Sequence, residues 1–238
     1  GITGDRTDNS YHVVVSAGPV GTAVLDGFTI TKGNANGTLA VTVNGVAIDD
    51  FRGGGIALSS SNPVIRNCTI HNNLGSNGGG MSIITSSPLI EFCKLLSNTA
   101  TIFGGAVDNY FSSSPVFNNS IFTGNRSLAM GGAFVNTAPS TMSLNNCTIA
   151  ANYAVTSGGA LYNPSSATEV FKNCIIWGNQ AGNAPTNTLS LVSGSCTATN
   201  CIIEGSGFSG TGNITQNPDF ISPVAATSAP TMLGDYRI

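Results

Sequence analysis

Short apolar runs recur along this chain with a period of about 27 residues. The run at residues 64–70, VIRNCTI, returns as LIEFCKL at 89–95, VFNNSIF at 116–122, SLNNCTI at 143–149 and VFKNCII at 170–176. A weaker copy occupies 198–203, and an earlier copy at 24–30 lies one longer period upstream. Runs of Val, Ile, Leu and Phe this short are typical of β-strands and leave no room for helices.

A second strand signal keeps the same period. It places a small residue before an apolar one, as in Gly55-Ile56, Gly80-Met81, Ala106-Val107, Ala133-Phe134 and Ala160-Leu161. Breaks rich in Ser and Pro follow, such as SSSNP and TSSP, and this composition indicates turns. Each period therefore predicts two short strands, with room for a third.

A period of 20–50 residues built from strands predicts a solenoid. Because crossovers between parallel strands are almost always right-handed, the predicted fold is an all-β, right-handed parallel β-helix of roughly eight to nine coils. We expect a single domain over 1–238, with regular coils over about 24–205 and an irregular exit or cap segment over 206–238. The extra residues of the first period should loop out around 43–52.

Equivalent residues of successive coils should stack, so each position of the repeat forms a column. Ile149 and Phe171 are predicted to face the core. One inward column holds Cys68, Cys93, Cys147, Cys174 and Cys201, with Ser120 in the remaining coil. Three interpretations stay open for it: buried free thiols, some disulfides, or a metal site, the last disfavoured because no CxxC pair or nearby histidine exists. Cys196 lies outside the column, and Cys196 with Cys201 is the first pair to check for a disulfide.

Asparagine forms three further columns. Since Asn tolerates a left-handed bend and its amide can bond to the copies above and below, we predict buried asparagine ladders at the corners of the coils. The first column is Asn67, Asn119, Asn146, Asn173 and Asn200, interrupted by Phe92; the second is Asn73, Asn98, Asn125, Asn152 and Asn179; the third is Asn109, Asn136 and Asn163.

The acidic residues offer little for catalysis. The adjacent pair Asp49 and Asp50, followed by Arg52, lies in the expected insertion and is a weak candidate for a sugar or cation site. Asp108 and Glu169 occur singly in separate columns, and Glu91 is expected to pair with Arg66 on the neighbouring coil. We predict no catalytic residue, cofactor or metal site, because glycosidases need two carboxylates close together and lyases usually need several around a cation.

Two other residue classes are candidates for surface chemistry. The aromatic residues that could line one outer surface for sugar binding are Tyr110, Phe111, Tyr162 and Trp177. Several Asn-X-Ser/Thr sequons look like by-products of the repeat, and Asn36 and Asn213 are the expected exposed glycosylation sites because they lie in irregular stretches.

Composition narrows the partners. Only 8% of residues are charged and the net charge is −3, with the basic residues scattered singly, which argues against a nucleic-acid partner. No apolar run approaches the roughly 18 residues of a spanning helix, so no membrane insertion is expected. The chain opens without the features of a secretion signal, and we expect that any such signal has been removed or lies outside this sequence.

Two linked motifs resemble a known class of repeats. Phe122-Thr123-Gly124-Asn125 followed by residues 131–134, GGAF, is similar to the FxxN and GGA-apolar repeats of chlamydial polymorphic membrane proteins. Degenerate copies begin at Ile70, Leu95 and Ile149. The pattern also resembles the wider set of right-handed β-helix repeat proteins of the pectate-lyase-like superfamily, over about residues 24–205.

The resemblance implies a surface-displayed passenger or stalk segment of a larger secreted protein. We therefore expect an extracellular structural or adhesive rod, secreted or at the cell surface, and not an enzyme. Its partners would be adjacent domains, other copies end to end, or a host-surface protein or glycan. Two alternatives stay open: a filament subunit that stacks head to tail, and a β-helix that binds or cleaves polysaccharide.

Overall fold

A computed structural model describes residues 9–182, 189–191, 194–205 and 208–238. The chain winds into a parallel β-helix in which each of the first six coils passes through four sheets in a fixed order. Coil 1 begins at Val14; the later coils begin at Ile56, Met81, Val107, Phe134, Leu161 and Leu189. Three sheets have seven strands and one has six.

The strands are short and parallel in every sheet. Sheet 1 contains Val14–Ala17, Ile56–Ser59, Met81–Ile84, Val107–Tyr110, Phe134–Asn136, Leu161–Asn163 and Leu189–Leu191. Sheet 2 contains Val24–Asp26, Val64–Arg66, Leu89–Glu91, Val116–Asn118, Thr141–Asn145, Thr168–Lys172 and Ser195–Thr199. Sheet 3 contains Thr29–Thr31, Thr69–His71, Lys94–Leu96, Ile121–Thr123, Thr148–Ala150, Ile175–Trp177 and Ile202–Ile203. Sheet 4 contains Asn34–Ala35, Leu74–Asn77, Thr99–Phe103, Arg126–Ser127, Tyr153–Ala154 and Gln180–Ala181.

The predicted solenoid and its period are confirmed, and two details differ. A full coil has four strands, more than the two or three predicted. The strands of sheet 4 were not predicted because some have only two residues and leave no apolar pattern in the sequence. The coil number is also smaller than the predicted eight to nine, since sheets 1, 2 and 3 have seven strands each. Regular coils begin at Val14, earlier than residue 24.

The core is a set of apolar stacks along the axis. Ile65, Ile90, Phe117, Leu144 and Phe171 lie in register on neighbouring strands, and all are at most 2% exposed. Ile149 is 1% exposed. The inward orientation predicted for Ile149 and Phe171 is therefore confirmed.

Glycines precede the strands of sheet 1 because the wall turns sharply there. Gly131 has a φ of 70°, a conformation that costs L-residues energy and glycine little. A Cβ added to Gly132 would collide with the carbonyl oxygen of Gly159 and with the backbone of Tyr153. The glycine column therefore marks close approach between coils.

An antiparallel hairpin, Ala40–Val43 with Val46–Asp49, interrupts the end of coil 1, as the predicted insertion requires. Ile48 of the hairpin is buried against Ala17 and Ala57. Ala57 and the following residues of its column, Ser82 and Asp108, are buried although they alternate with core residues along sheet 1. The hairpin thus covers part of the outer face of sheet 1.

The C-terminal residues do not continue along the axis. Ser209 and Ile214 bridge to Thr197 and Ile202 and so begin one further, incomplete coil. Residues 217–238, here called the C-terminal strap, then turn back over the outer face of sheet 3 and contain the short 3-10 helix Ala226–Ser228. Only part of the predicted exit or cap segment therefore covers the end of the solenoid. Within the described ranges, no helix is long and apolar enough to cross a membrane.

Contacts hold the strap against the coils. The Thr231 N–H donates to the Gly124 carbonyl at 3.1 Å. The Arg126 guanidinium donates to the Ala229 carbonyl at 3.3 Å, and the Asn72 amide donates to the Met232 sulfur at 3.4 Å. These contacts run from coil 4 back toward coil 2, opposite to the direction of winding.

Candidate functional site

The second asparagine column forms a continuous buried ladder. Each Nδ2 donates to the Oδ1 of the next coil at 2.8–3.0 Å, from Asn73 through Asn98, Asn125 and Asn152 to Asn179. The same Oδ1 atoms accept the backbone N–H of the preceding asparagine. All five residues are 0% exposed. The ladder predicted for this column is confirmed.

The first column differs. Asn67, Asn119, Asn146, Asn173 and Asn200 all have φ between 51° and 55° and all are exposed. Each occupies the left-handed bend between sheets 2 and 3, so the predicted conformation is confirmed but the predicted burial is wrong. The sharp bend turns these side chains toward solvent, where the Asn67 amide donates to Asp26 at 2.8 Å.

The third column ends on an acid. Asn109 donates to the Oδ1 of Asn136 at 2.8 Å. Asn136 and Asn163 both donate to Oε1 of Glu169, at 2.6 Å and 2.9 Å. Glu169 is fully buried, and burial raises the pKa of its carboxyl, only partly opposed by the two amides. Glu169 lies on sheet 2 and the asparagines on sheet 1, so the spacing of the columns in the sequence did not indicate this contact.

The candidate site around the insertion is only partly assembled. Arg52 lies 3.2 Å from an Asp49 carboxylate oxygen, but its shorter contact, at 2.6 Å, is with Asp108. Asp50 is buried in the hairpin and accepts the Leu39 N–H at 2.8 Å. The fold thus recruits Asp108 in place of Asp50. The sequence carries no signal for this contact, because Arg52 and Asp108 lie 56 positions apart in different coils.

This cluster is a buried ion pair between aromatic rings. The Arg52 guanidinium carbon lies 5.3 Å from the ring centre of Phe51 and 4.8 Å from that of Tyr110. Burial raises the pKa of Asp108 to about 6, even though the Arg52 charge and hydrogen bond oppose the shift. The side chain of Asp108 is only 2% exposed, so the carboxylate fastens the insertion to sheet 1 and is closed to a large substrate. No group of three or more His, Cys, Asp or Glu with metal-binding geometry occurs among the described residues.

The surface charges pair differently from the prediction. Arg66 donates to Asp26 at 2.9 Å, toward coil 1, whereas Glu91 accepts an amide hydrogen bond from Asn118 at 3.2 Å, toward coil 4. The expected proximity of Glu91 and Arg66 is confirmed, because the two residues are register partners on neighbouring strands, but their side chains bond to these other partners and not to each other.

All six cysteines are free thiols and all are buried, including Cys196 and Cys201. In the column the thiols donate to backbone carbonyls, as Cys93 does to Glu91 at 3.3 Å and to Ile65 at 3.6 Å. Burial raises the pKa of Cys93 to about 12 and raises the pKa of Cys196 as well. Of the open interpretations, buried free thiols are the one observed.

The remaining candidates are dispersed. Trp177 lies on sheet 3, whereas Tyr110, Phe111 and Tyr162 lie in or beside sheet 1, so the four aromatic residues share no surface. Asn36 is exposed, as predicted for a glycosylation site. The Asn213 amide instead donates to the Ala198 carbonyl at 2.8 Å, and its Oδ1 accepts the Cys201 N–H at 3.0 Å. Contrary to expectation, Asn213 is engaged in closing the last coil.

Comparison with known proteins agrees with this architecture. A family model described as "Right handed beta helix region" matches residues 27–203, which is most of the chain. No curated protein and no solved structure matches the chain significantly. The matched region runs from the bend before the first strand of sheet 3, Thr29–Thr31, to the last strand of that sheet, Ile202–Ile203, and so spans most of the regular coils. The chain therefore belongs to the right-handed β-helix family.

Proposed function

We propose that this chain is an extracellular structural or adhesive rod, a surface-displayed passenger or stalk segment of a larger secreted protein. The observation that carries the proposal is the use of the buried polar groups. The Asn73–Asn179 ladder bonds each coil to the next, and Glu169 and Asp108 are consumed in internal contacts. These groups hold a rod together, and their burial removes them from a substrate.

Two further features support a role outside the cell. Few residues are charged, and exposed amides such as Asn119, Asn146 and Asn173 line the bend between sheets 2 and 3, where they can form hydrogen bonds with a partner. The free thiols are buried and the pKa of Cys93 is raised to about 12, so little reactive thiolate would meet an oxidant. The FxxN and GGA-apolar repeats resemble those of surface-displayed passengers, and adjoining domains, other copies, a host-surface protein or a glycan are the proposed partners.

Labelling of intact source cells tests the proposal. An antibody raised against the purified chain should bind unpermeabilised cells, and the purified chain should adhere to host cells or to immobilised glycans without consuming them. Labelling that appears only after permeabilisation would overturn the extracellular location. Adherence equal to that of a denatured sample would overturn the adhesive role and leave a structural one.

A further inference from the structure

The outer face of sheet 2 carries rows of side chains parallel to the solenoid axis. All seven strands are in register, so equivalent residues stack at the strand spacing. The central row is Val24, Val64, Leu89, Val116, Ser143, Val170 and Thr197. The second row, here called the charged row, is Asp26, Arg66, Glu91, Asn118, Asn145, Lys172 and Thr199.

This face is left open while two of its neighbours are covered. The hairpin packs on sheet 1, and the C-terminal strap packs on sheet 3. On sheet 2 the apolar residues of the central row are all partly or fully exposed, and Val24 reaches 52%. An apolar row beside a polar row is the composition expected of a contact surface.

The charges along the charged row are separated by sign. In coils 1 to 3 it carries the carboxylates of Asp26 and Glu91 and one guanidinium, Arg66, which is paired with Asp26. In coil 6 it carries Lys172, which is exposed and whose ammonium group has no hydrogen bond or ion pair among the described residues. Glu91 and Lys172 are three coils apart, about 14 Å by the strand spacing. That distance exceeds the Debye length of about 8 Å at physiological salt, so the two charges do not neutralise each other within one copy.

We propose that two copies of this chain pack side by side through the outer faces of sheet 2, related by a two-fold axis parallel to the strands. This rotation reverses the solenoid axis and keeps the strand direction, so coil 3 of one copy faces coil 6 of the other. Glu91 then meets Lys172 of the other copy, and the contact occurs twice. In the same register Leu89 faces Val170, Val116 faces Ser143, and Asn118 faces Asn145.

The register between the two copies follows from which carboxylates in the charged row already have hydrogen-bond partners within one copy. Both carboxylate oxygens of Asp26 accept hydrogen bonds, one from Arg66 and one from Asn67. Among the described residues, the Glu91 carboxylate has only the neutral amide of Asn118 as a hydrogen-bond partner. Lys172 of a second copy therefore gains more by meeting Glu91 than by meeting Asp26. A surface that is complementary to itself in this way makes an isologous, closed dimer.

The size of the face sets the expected affinity. Seven strands make it about 30 Å long, and strands of three to five residues make it roughly 10–16 Å wide. In this register six strands of each face overlap, and the two faces together bury roughly 500–900 Å², the size of a weak, transient interface. We expect a reversible dimer with a dissociation constant in the micromolar range. The inference does not depend on what the rod binds or on where the cell places it.

Charge reversal tests the inference. Analytical ultracentrifugation of the unglycosylated chain at concentrations up to about 1 mM should show a monomer–dimer equilibrium. Glu91→Lys and Lys172→Glu should each raise the dissociation constant at least tenfold, because each places like charges in both symmetric contacts. The double variant, with both charges reversed, should return to within about threefold of the wild-type value.

Lys32→Glu is the matched control, since Lys32 is exposed, lies outside sheet 2 and changes the net charge as Lys172→Glu does. It should leave the dimer unchanged, and melting curves should show that every variant is folded. A wild-type chain that stays monomeric throughout would overturn the proposal. So would a dimer indifferent to the single reversals, a loss not restored in the double variant, or open-ended association through the ends.

Discussion

Two asparagine columns that look alike in the sequence have different roles in the solenoid. At the bend between sheets 3 and 4, Asn98 and Asn125 are buried and bonded from coil to coil. At the bend between sheets 2 and 3, Asn119 and Asn146 are exposed and left-handed. One column uses the amide of asparagine, and the other uses its tolerance of positive φ.

The position of the left-handed residue explains the difference. At the exposed bend the asparagine itself has positive φ, as Asn119 does at 51°. At the buried bend the residue before the asparagine takes that conformation, as Gly124 does at 61°. Shifting the left-handed residue by one position turns the asparagine inward. The same amino acid thus serves packing in one column and backbone conformation in the other.

The substitution Asn125→Ala tests the difference between the two columns most directly, and we expect it to have the largest effect on stability. The Asn125 side chain accepts the N–H and the side-chain amide of Asn98, both at 3.0 Å, and donates to Leu95 and Asn152, both at 2.9 Å. Removing it leaves buried donors and acceptors on both sides without partners, at about 1–3 kcal/mol each. We expect the free energy of unfolding to fall by about 3–5 kcal/mol.

Urea denaturation followed by circular dichroism measures this loss. Asn119→Ala, in the same coil, is the matched control. Equal losses for the two variants would contradict the distinction between the columns.

A second prediction extends the comparison to the acids. Burial raises the pKa of Asp108 to about 6, so the folded chain binds this proton more strongly than the unfolded chain does. The stabilising contribution is complete below the unfolded value of about 4 and is lost as the pH rises through about 6. The Glu169 carboxyl, whose pKa is also raised by burial, acts in the same direction.

Urea midpoints measured between pH 4 and pH 7 test this prediction. The midpoint of Asp108→Asn should depend less strongly on pH than that of the wild type. Asp26→Asn is the control of opposite sign, because hydrogen bonds from Asn67 and Arg66 lower the pKa of Asp26. Its contribution is present above the unfolded value and is lost as the pH falls. If the midpoint of Asp108→Asn depended on pH as strongly as that of the wild type, the pH dependence could not be assigned to Asp108.

Stacking explains which features could be predicted. In a solenoid each residue meets its own copy in the next coil, so the period alone placed Phe171 in the core and joined Asn73 to Asn98. The Arg52 to Asp108 contact breaks that rule, because the hairpin carries Arg52 to a column of another coil. The path of the C-terminal strap could not be predicted either, since residues 217–238 have no periodicity.

The third prediction measures the exposed column directly. Asn119→Ala should lower the free energy of unfolding by about 1 kcal/mol, the cost of a left-handed conformation for a residue with a Cβ and no local hydrogen bond. Asn119→Gly should be nearly neutral, since glycine adopts positive φ readily. The same urea titrations distinguish the two variants. A loss in Asn119→Gly as large as that in Asn119→Ala would show that the side chain acts by contacts.

The smallest expected effect is a gain in stability at Phe92. This residue interrupts the exposed column, with a φ of 52° and 57% of its surface exposed. A bulky residue at positive φ is strained, and so exposed a ring recovers little of that cost by burial. Phe92→Asn should therefore raise the free energy of unfolding by about 0.5–1 kcal/mol, which a urea titration can resolve. Phe92→Ala should gain less stability, because alanine has a Cβ but no amide that could form a local hydrogen bond at positive φ. Phe92→Asn that is less stable than the wild type would mean that the ring packs on the neighbouring coils strongly enough to outweigh the backbone.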